Sequence, residues 1–419
     1  MSEASVNESH RSQWLASRVD PVFQLLPADE TLWPEKIGAL FPKPQGEPVF
    51  DPEEVSLAVK KLQTCPEVAT GYPALDLAIK TGLVFIDFTF QGLHPKYGRR
   101  QYAEERHDGF PPTIIAAVDA LSAWGLTEKA VALFRYWLAH FVNQDGTINY
   151  YGPSLSEYGQ LLHLASRLVK RAGTIRWWSE SLPYLRRLVA YLLSLRSLAE
   201  KEDGLLTGGP EADECQNTGK YFHNNAWVSR GLESWFHTCC QAGTECEEKV
   251  LRVARALRED TLKAIEATWP EEPEDWWLPP RVEKVDRPRS LTGTRMASYT
   301  NYRYWPELLS SQILPRPLAE RLVNARLSAG GQFCGLTRFS DHLDDWPLAD
   351  YLTGLWWLGR QADFRLSLFG HIYYHQAAGH LTAYEQVSFP PGKEVAPYCL
   401  PCQLVAARAG RFLVKGREK

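Results

Sequence analysis

No apolar run in this chain approaches the roughly 20 residues that a membrane-spanning helix needs, so its hydrophobic residues are expected in the core of a soluble fold. The first ten residues, MSEASVNESH, lack a positively charged start and an apolar h-region. The expected location is cytoplasmic, with no membrane partner. Positive charge is not in excess, since 46 Lys and Arg against 50 Asp and Glu leave a net charge of −4. No basic stripe or nucleic-acid motif occurs, so no nucleic-acid partner is expected. Eight Cys in 419 residues are too sparse for a disulfide scaffold. Cys399 and Cys402 have the spacing that zinc sites and redox pairs use, but no second such pair accompanies them, and structural thiols are the simpler reading. No repeat of fixed length is visible, which argues against an open helical solenoid.

What is abundant is apolar and aromatic. Hydrophobic residues make up 44% of the chain and aromatics 12%, including 15 Trp. So much indole suits a large core or a groove that stacks flat apolar faces. Residues 1–52 are rich in Pro and polar residues, as in FPKPQGEPVFDP, and 53–64 read as a short helix. Residues 1–80 are therefore expected to be an arm with short helices packed on the main body. TGLVFIDFTF (81–90) alternates and reads as a strand.

From Phe110 onward two kinds of helical segment alternate. Residues 244–267 set Val250, Leu251, Val253, Leu257, Leu262 and Ile265 at helical spacing among many charges, so one face is wet. Residues 127–143, 178–200, 315–328 and 363–377 are of that type. By contrast, 221–241 carries only Arg230 and Glu233 as formal charges. Residues 110–124, 154–169, 304–313, 347–360 and 398–414 are similarly dry. A dry helix must be covered on all sides, and a half-wet one on a single side. Six dry segments alternating with wetter ones predict an all-α fold, an (α/α)6 barrel over residues 81–419. Residues 268–303 interrupt the pattern with a Pro-rich segment too long for an idle connection. Its Trp276–Trp277 pair argues for order.

In such a barrel the inner helices run the same way, and the loops before them meet on one rim. Those loops carry the unusual residues. Before the first lie His107 and Asp108. Before the second lie Tyr150, Tyr151 and Glu157, and before the third Glu211, Asp213 and Glu214. Before the fourth come Tyr302, Arg303, Trp305 and Glu307. Before the fifth come Asp341, His342, Asp344, Asp345 and Trp346, and before the sixth Tyr384 and Glu385. Carboxylates accept hydrogen bonds from sugar hydroxyls, and aromatic rings stack on pyranose C–H faces. Glycoside hydrolysis needs two carboxyl groups, one to protonate the leaving oxygen and one to activate water or attack. The crowded acids at 211–214 suit the proton donor, because neighbouring carboxylates raise one another's pKa. Glu385, isolated across the rim, suits the base. A carbohydrate is the expected ligand, and neither a cofactor nor a metal is called for.

At these loops the chain resembles the six-hairpin glycosidases, the broad group that includes glucoamylases and trehalases. GGPEADE followed by YFHNNAWVSRGLESW stands where that group carries its acid, and TAYEQ before 398–414 stands where it carries its base. HDGFPP resembles the first-loop motif that binds hydroxyls of the non-reducing sugar, with His107 where Arg is common. The resemblance covers roughly residues 100–414 and implies hydrolysis with inversion and no cofactor. It makes Asp213, Glu211 and Glu385 the candidate catalytic residues, with Asp213 or Glu211 favoured over Glu214 as the acid. His107, Asp108, Tyr151, Glu157, Glu214, Tyr302, Arg303, Trp305, Asp344, Asp345, Trp346 and Tyr384 are the candidate sugar-binding residues.

Other readings stand beside this one. Asp344 and Asp345 suit helix capping as well as sugar binding, and Arg303 suits pairing with a rim carboxylate. His223 on a dry helix suits a satisfied core position. A sugar isomerase or epimerase on the same fold would use His residues. His371, His375 and His380 lie close in sequence, but on an outer-type helix away from the rim. A barrel that binds carbohydrate without turning it over is the third reading.

Overall fold

The computed structural model describes residues 20–150, 152, 154–172, 176–214, 216–269, 277–283, 303–376, 382–389 and 395–414. The arm begins at Asp20, a buried carboxylate that accepts from Val22 N (3.0 Å) and from Gly335 N (2.7 Å). That second bond ties the start of the arm to a turn over three hundred residues away. Helix α1 (Trp33–Leu40) buries Trp33 and Ile37. Helix α2 (Pro52–Leu62) starts with a capping box in which Asp51 and Glu54 satisfy each other's backbone N–H groups at 2.8 and 3.0 Å. Arg99 then grips Glu54 at 2.7 and 2.9 Å and lies over the Phe50 ring at 4.9 Å, which fastens the arm beside the first rim loop.

Helix α3 (Pro73–Thr89) corrects the reading of 81–90 as a strand, and the expected division at residue 80 falls inside it. Thr81, Leu83, Val84, Phe85, Ile86 and Thr89 are all buried. Phe85 stacks on Phe50 of the arm with ring centroids 4.2 Å apart. The arm covers the face that would otherwise be wet. Within 81–89 Asp87 is the one exposed charge, so apolar residues on the arm-facing side mask the helical period.

The remaining long helices are α4 (Pro111–Ala123), α5 (Thr127–Phe141), α6 (Ser156–Ala172), α7 (Arg176–Ala199), α8 (Phe222–Gln241) and α9 (Glu248–Thr268). They continue through α10 (Tyr304–Ser310), α11 (Arg316–Ser328), α12 (Leu348–Leu358), α13 (Gln361–Gly370), α14 (Leu400–Gln403) and α15 (Val405–Gly410). The packing closes a ring. Helix α4 packs on α6, α6 on α8, α8 on α10, α10 on α12, α12 on α15, and α15 on α4 again. Helices α3, α5, α7, α9, α11 and α13 lie outside that ring, each against one of its members or a neighbouring outer helix. The alternation of dry and half-wet segments is thus an (α/α)6 barrel, with α3 as the outer helix that its sequence pattern concealed. At the α6–α8 contact Gly159 and Gly231 face each other. A Cβ on Gly159 would collide with the backbone of Trp227, and one on Gly231 with the backbone of Gly159.

One end of the ring carries a small antiparallel sheet, β1 (Gln332–Phe333), β2 (Leu336–Arg338), β3 (His342–Asp344), β4 (Gln386–Ser388) and β5 (Val395–Ala396), paired in that order. Strands β3 and β4 pair Leu343 with Val387 and Asp344 with Gln386. The fifth and sixth rim loops are therefore joined edge to edge. No helix among the described residues is long and apolar enough to cross a membrane.

At the opposite end Asp119 of α4 is buried and ringed by guanidinium groups. Arg411 approaches it at 2.7 Å, Arg167 at 2.8 Å, and Arg171 and Arg408 at 3.5 Å. Burial alone would raise its pKa, but Arg167 and Arg411 outweigh burial and hold it well below the usual carboxylate range. Its stabilisation is complete above the ordinary Asp range and is lost as pH falls through the depressed value. Replacing Asp119 by Asn leaves the arginines without their shared counter-charge. The expected cost is about 3–5 kcal/mol at pH 7, measured by denaturant unfolding; a loss below about 1 kcal/mol would contradict this account.

Candidate active site

The rim is built from the starts of the inner helices and the loops before them. Loop 205–214 is held by consecutive residues in the first turn of α8. His223 Nε2 donates to Pro210 O (2.9 Å), Asn224 Nδ2 donates to Gly209 O (2.8 Å), and Asn225 Oδ1 accepts from Leu206 N (2.7 Å). Asn224 Oδ1 also accepts from Leu155 N and Ser156 N at 3.2 and 2.9 Å. One amide thus satisfies free donors at the start of α6 and fixes the third loop against the second. His223 is a fully buried core histidine that is only half satisfied, since its Nδ1 has no hydrogen-bond partner, and burial pushes its pKa down to about 4.

At the centre lies Arg303, just before α10. Its Nη2 is 2.6 Å from Glu157 Oε1 and its Nη1 is 3.2 Å from Glu211 Oε2, while its Nε bonds Glu307. Three loops or helix starts meet on one guanidinium. Burial would lower the pKa of Arg303, but Glu307, Glu157 and Glu211 overcome it and raise the value well above the ordinary one. Glu157 is fully buried and accepts from Ser154 and Ser156, the latter at 3.0 Å. Arg303 outweighs burial and lowers its pKa. Three carboxyl groups share one cation, and the excess falls on Glu307, where burial wins over Arg303 and raises the pKa to about 7. Gln160 Nε2 donates to Glu307 Oε2 at 3.3 Å.

Arg303 leads across the rim toward Glu385. Its guanidinium lies 5.4 Å from the ring centre of Trp346. Trp346 stacks on Phe110 (5.7 Å) and meets Tyr97 edge-on (5.8 Å). Glu385 Oε2 accepts from Tyr97 at 3.4 Å and from Tyr102 at 3.5 Å. Burial, reinforced by Cys399 and Glu385, keeps the Tyr97 hydroxyl protonated by pushing its pKa well up. Tyr97 also touches His107 (ring centroids 5.5 Å apart). His107 lies near Asp213: burial and Arg106 lower its pKa, while the charge of Asp213 pulls the other way. Glu385 and the 211–214 loop are thus connected along one rim through Tyr97, His107, Trp346 and Arg303. Asp213 is exposed there, whereas Glu211 is buried against Arg303.

The remaining candidates fall into distinct places. Asp108 holds His94 at 2.8 Å and Lys96 at 2.8 Å. Glu214 is half-buried and accepts from Gln216 N and Asn217 N at 2.7 and 3.3 Å, bracing its own loop. Asp344 accepts from Trp346 N at 3.0 Å, which braces the turn ahead of α12 but does not cap that helix, whose N-cap is Pro347 with no side-chain bond. Asp345 bonds His371 and donates its backbone N–H to Glu385 O at 2.8 Å. Tyr151 and Tyr302 lie outside the described residues.

Several expectations require correction. Trp305 has 0% exposure and packs against Tyr351 and Arg326, so it is a core residue with no face to offer a sugar. Asp344 and Asp345 also have 0% exposure and support the rim from beneath. Tyr384 donates to Glu47 O at 2.6 Å and packs with Phe50 and Phe85, which makes it an anchor for the arm. His371 and His375 follow α13 in a wider helical turn that carries them inward to Asp345, not away from the rim. Both are fully buried, out of reach of a substrate. Cys399 and Cys402 are buried free thiols, both raised in pKa by burial.

Sequence reasoning missed Tyr97 and Tyr102. They sit in the connection before the first rim loop, where no periodicity marks them. Their spacing from His107 within one Tyr-rich stretch was the only available signal.

The chain matches no protein-family model, and no curated protein matches it in sequence. Comparison with solved structures does find relatives in shape. Two are variants of a glycosidase with a glutamate replaced by alanine. One is 13% identical with a TM-score of 0.58, and the other, in complex with glucose, is 12% identical with a TM-score of 0.57. Each match covers 83% of this chain and 99% of the other. A third is a Streptococcus pneumoniae protein from a family of metal-independent alpha-mannosidases, in a non-productive complex with alpha-1,6-mannobiose. It is 9% identical with a TM-score of 0.56, covering 87% of this chain and 99% of that one. The helical barrel is therefore a fold shared with glycosidases.

The raised pKa of Glu307 has a testable consequence. Burial favours its protonated form, so its contribution to stability is full below the ordinary Glu range and is lost as pH rises through about 7. Between pH 5 and pH 8 the wild type should lose more stability than Glu307→Gln. Thermal melts at both pH values measure this, and parallel curves would refute it.

Proposed function

We propose that this protein is a glycoside hydrolase that works by inversion, with Glu385 as the base and Asp213 as the acid. The observation that supports the reading is the run of contacts along a single rim, from Glu385 through Tyr97 to His107 and Trp346, and from Trp346 through Arg303 to Glu211, two residues before Asp213. The same fold in glycosidases, including ones solved with glucose and with a mannobiose, supports it.

In this mechanism a pyranose enters above Trp346, whose half-buried indole offers an apolar face. Asp108 and Glu211 take hydroxyl groups as hydrogen-bond donors. Asp213 gives a proton to the leaving oxygen. Glu211 is less suited to that step, because its carboxylate is held by Arg303 at 3.2 Å. On the far side of the sugar Glu385 takes a proton from water as the water attacks the anomeric carbon. Tyr97 and Tyr102 orient the Glu385 carboxylate. Inversion requires a carboxyl separation of roughly 6.5–9.5 Å, which leaves room for that water.

The test is hydrolysis of a panel of α- and β-glucosides and mannosides, disaccharides included, with NMR detection of the first-formed anomer. An inverted product is expected. Glu385→Gln and Asp213→Asn should each fold normally and lose about 10²–10⁴-fold in kcat. Full activity in Glu385→Gln would remove it as the base.

A further inference from the structure

The end of the barrel opposite the rim holds a cavity of about 770 Å³, within the range of small-molecule sites. It runs through the barrel interior, from Gln160, Trp227 and Asp350 in the N-terminal halves of α6, α8 and α12 to Arg171 and Arg411 near the ends of the inner helices. Its lining includes Arg167, Lys170 and Arg171 from α6, Arg230 from α8, and Arg408 and Arg411 from the last helical segment. The exposed residues Gly125 and Lys170 are also part of the lining, so the cavity reaches solvent.

Asp119 and Asp350 are the acidic residues of that lining. Asp119 is shared by Arg167, Arg171, Arg408 and Arg411, which is more guanidinium than one carboxylate can neutralise. Asp350 accepts from Ser310 at 2.7 Å. Among the described residues, Arg230 and Lys170 form no ion pair. The cavity therefore keeps a surplus of about four positive charges (six cations less two carboxylates), in a chain whose net charge is −4. Two polar atoms of lining residues, Trp227 Nε1 and Arg411 Nε, are buried without a partner, and both are donors.

Such crowding is unfavourable when empty. Burial pushes Arg167 and Arg411 down to about 10, with neighbouring arginines adding to the effect, yet both stay charged at pH 7. Burial, then Arg230 and Arg167, push His163 of the same lining well below its ordinary value. A multiply charged anion relieves this repulsion. A phosphoryl group at neutral pH carries close to two charges and three strong acceptor oxygens, and guanidinium forks match its geometry.

We propose that this end of the barrel binds a small phosphoryl anion, either free phosphate or a phosphate ester, at a site formed by Arg230, Lys170 and the arginines around Asp119. The site is separate from the rim, and its existence does not depend on glycoside hydrolysis.

The test is calorimetric titration of the full chain with inorganic phosphate, pyrophosphate, glucose 6-phosphate and glucose, at ionic strength matched with sodium chloride. Saturable binding of at least one phosphoryl probe, and none of glucose at this site, is expected. Arg230→Gln and Lys170→Gln should each weaken it by about tenfold or more. Neither residue belongs to the Asp119 ion pairs, and Lys170 is exposed, so Lys170→Gln gives a readout even if Arg230→Gln does not fold. Equal affinity for phosphate and for the ester assigns the site to the free ion, and tighter binding of the ester assigns it to the ester. No saturable binding by any phosphoryl probe, or affinities unchanged in both variants, would overturn the proposal.

Discussion

One guanidinium organises the rim. Arg303 stands where three carboxyl groups from separate stretches of chain, Glu157, Glu211 and Glu307, converge. Taking these charges out of water is costly, and the cost is offset only while the pairing is complete. The three stretches must therefore keep the spacing that Arg303 demands. Trp346 rests against the same guanidinium, so the fifth loop is held to the same reference. Through Trp346 and Tyr97 the constraint reaches Glu385, which is tied to Asp345 by a backbone bond.

The two ends of the barrel carry opposite charge, and the backbone supports the arrangement. The inner helices begin at the rim, so the positive ends of their dipoles face its carboxyl groups. They finish at the other end, where their negative ends face Arg167, Arg171, Arg408 and Arg411. Side chains at each end thus have the sign that the helices favour. Gln160 lies between the two, lining the basic cavity and donating to Glu307 of the acidic cluster. Each end also holds a residue bearing the excess of its own sign: Glu307 is pushed toward protonation, and Arg167 and Arg411 are pushed down toward neutrality.

Much of this architecture is legible in the sequence. Helix α8 with its two formal charges and α9 with one wet face declare themselves inner and outer by composition. The failures have physical causes. Helix α3 looked like a strand because the arm buries its outer face, so Phe85 and Val84 are apolar where an ordinary outer helix is polar. The sheet was missed because strands of two or three residues are too short to show a period. Trp305 and Tyr384 sat in loops that otherwise suited a sugar site, and sequence position does not reveal whether a ring turns outward, into the core, or onto the arm. His371 and His375 seemed remote because a regular helix was assumed, whereas a wider turn swings them inward to Asp345.

The order of elements, their inner or outer character, and the crowding of carboxylates and rings before the inner helices follow from the sequence alone, because periodicity and charge are local properties. Which of those carboxylates are exposed, which are locked to Arg303, and which support the rim from beneath depends on groups dozens to hundreds of residues apart. The cationic cavity belongs to that second class as well. Its arginines look like ordinary helix-end charges in sequence, and only closure of the ring turns them toward one another around Asp119.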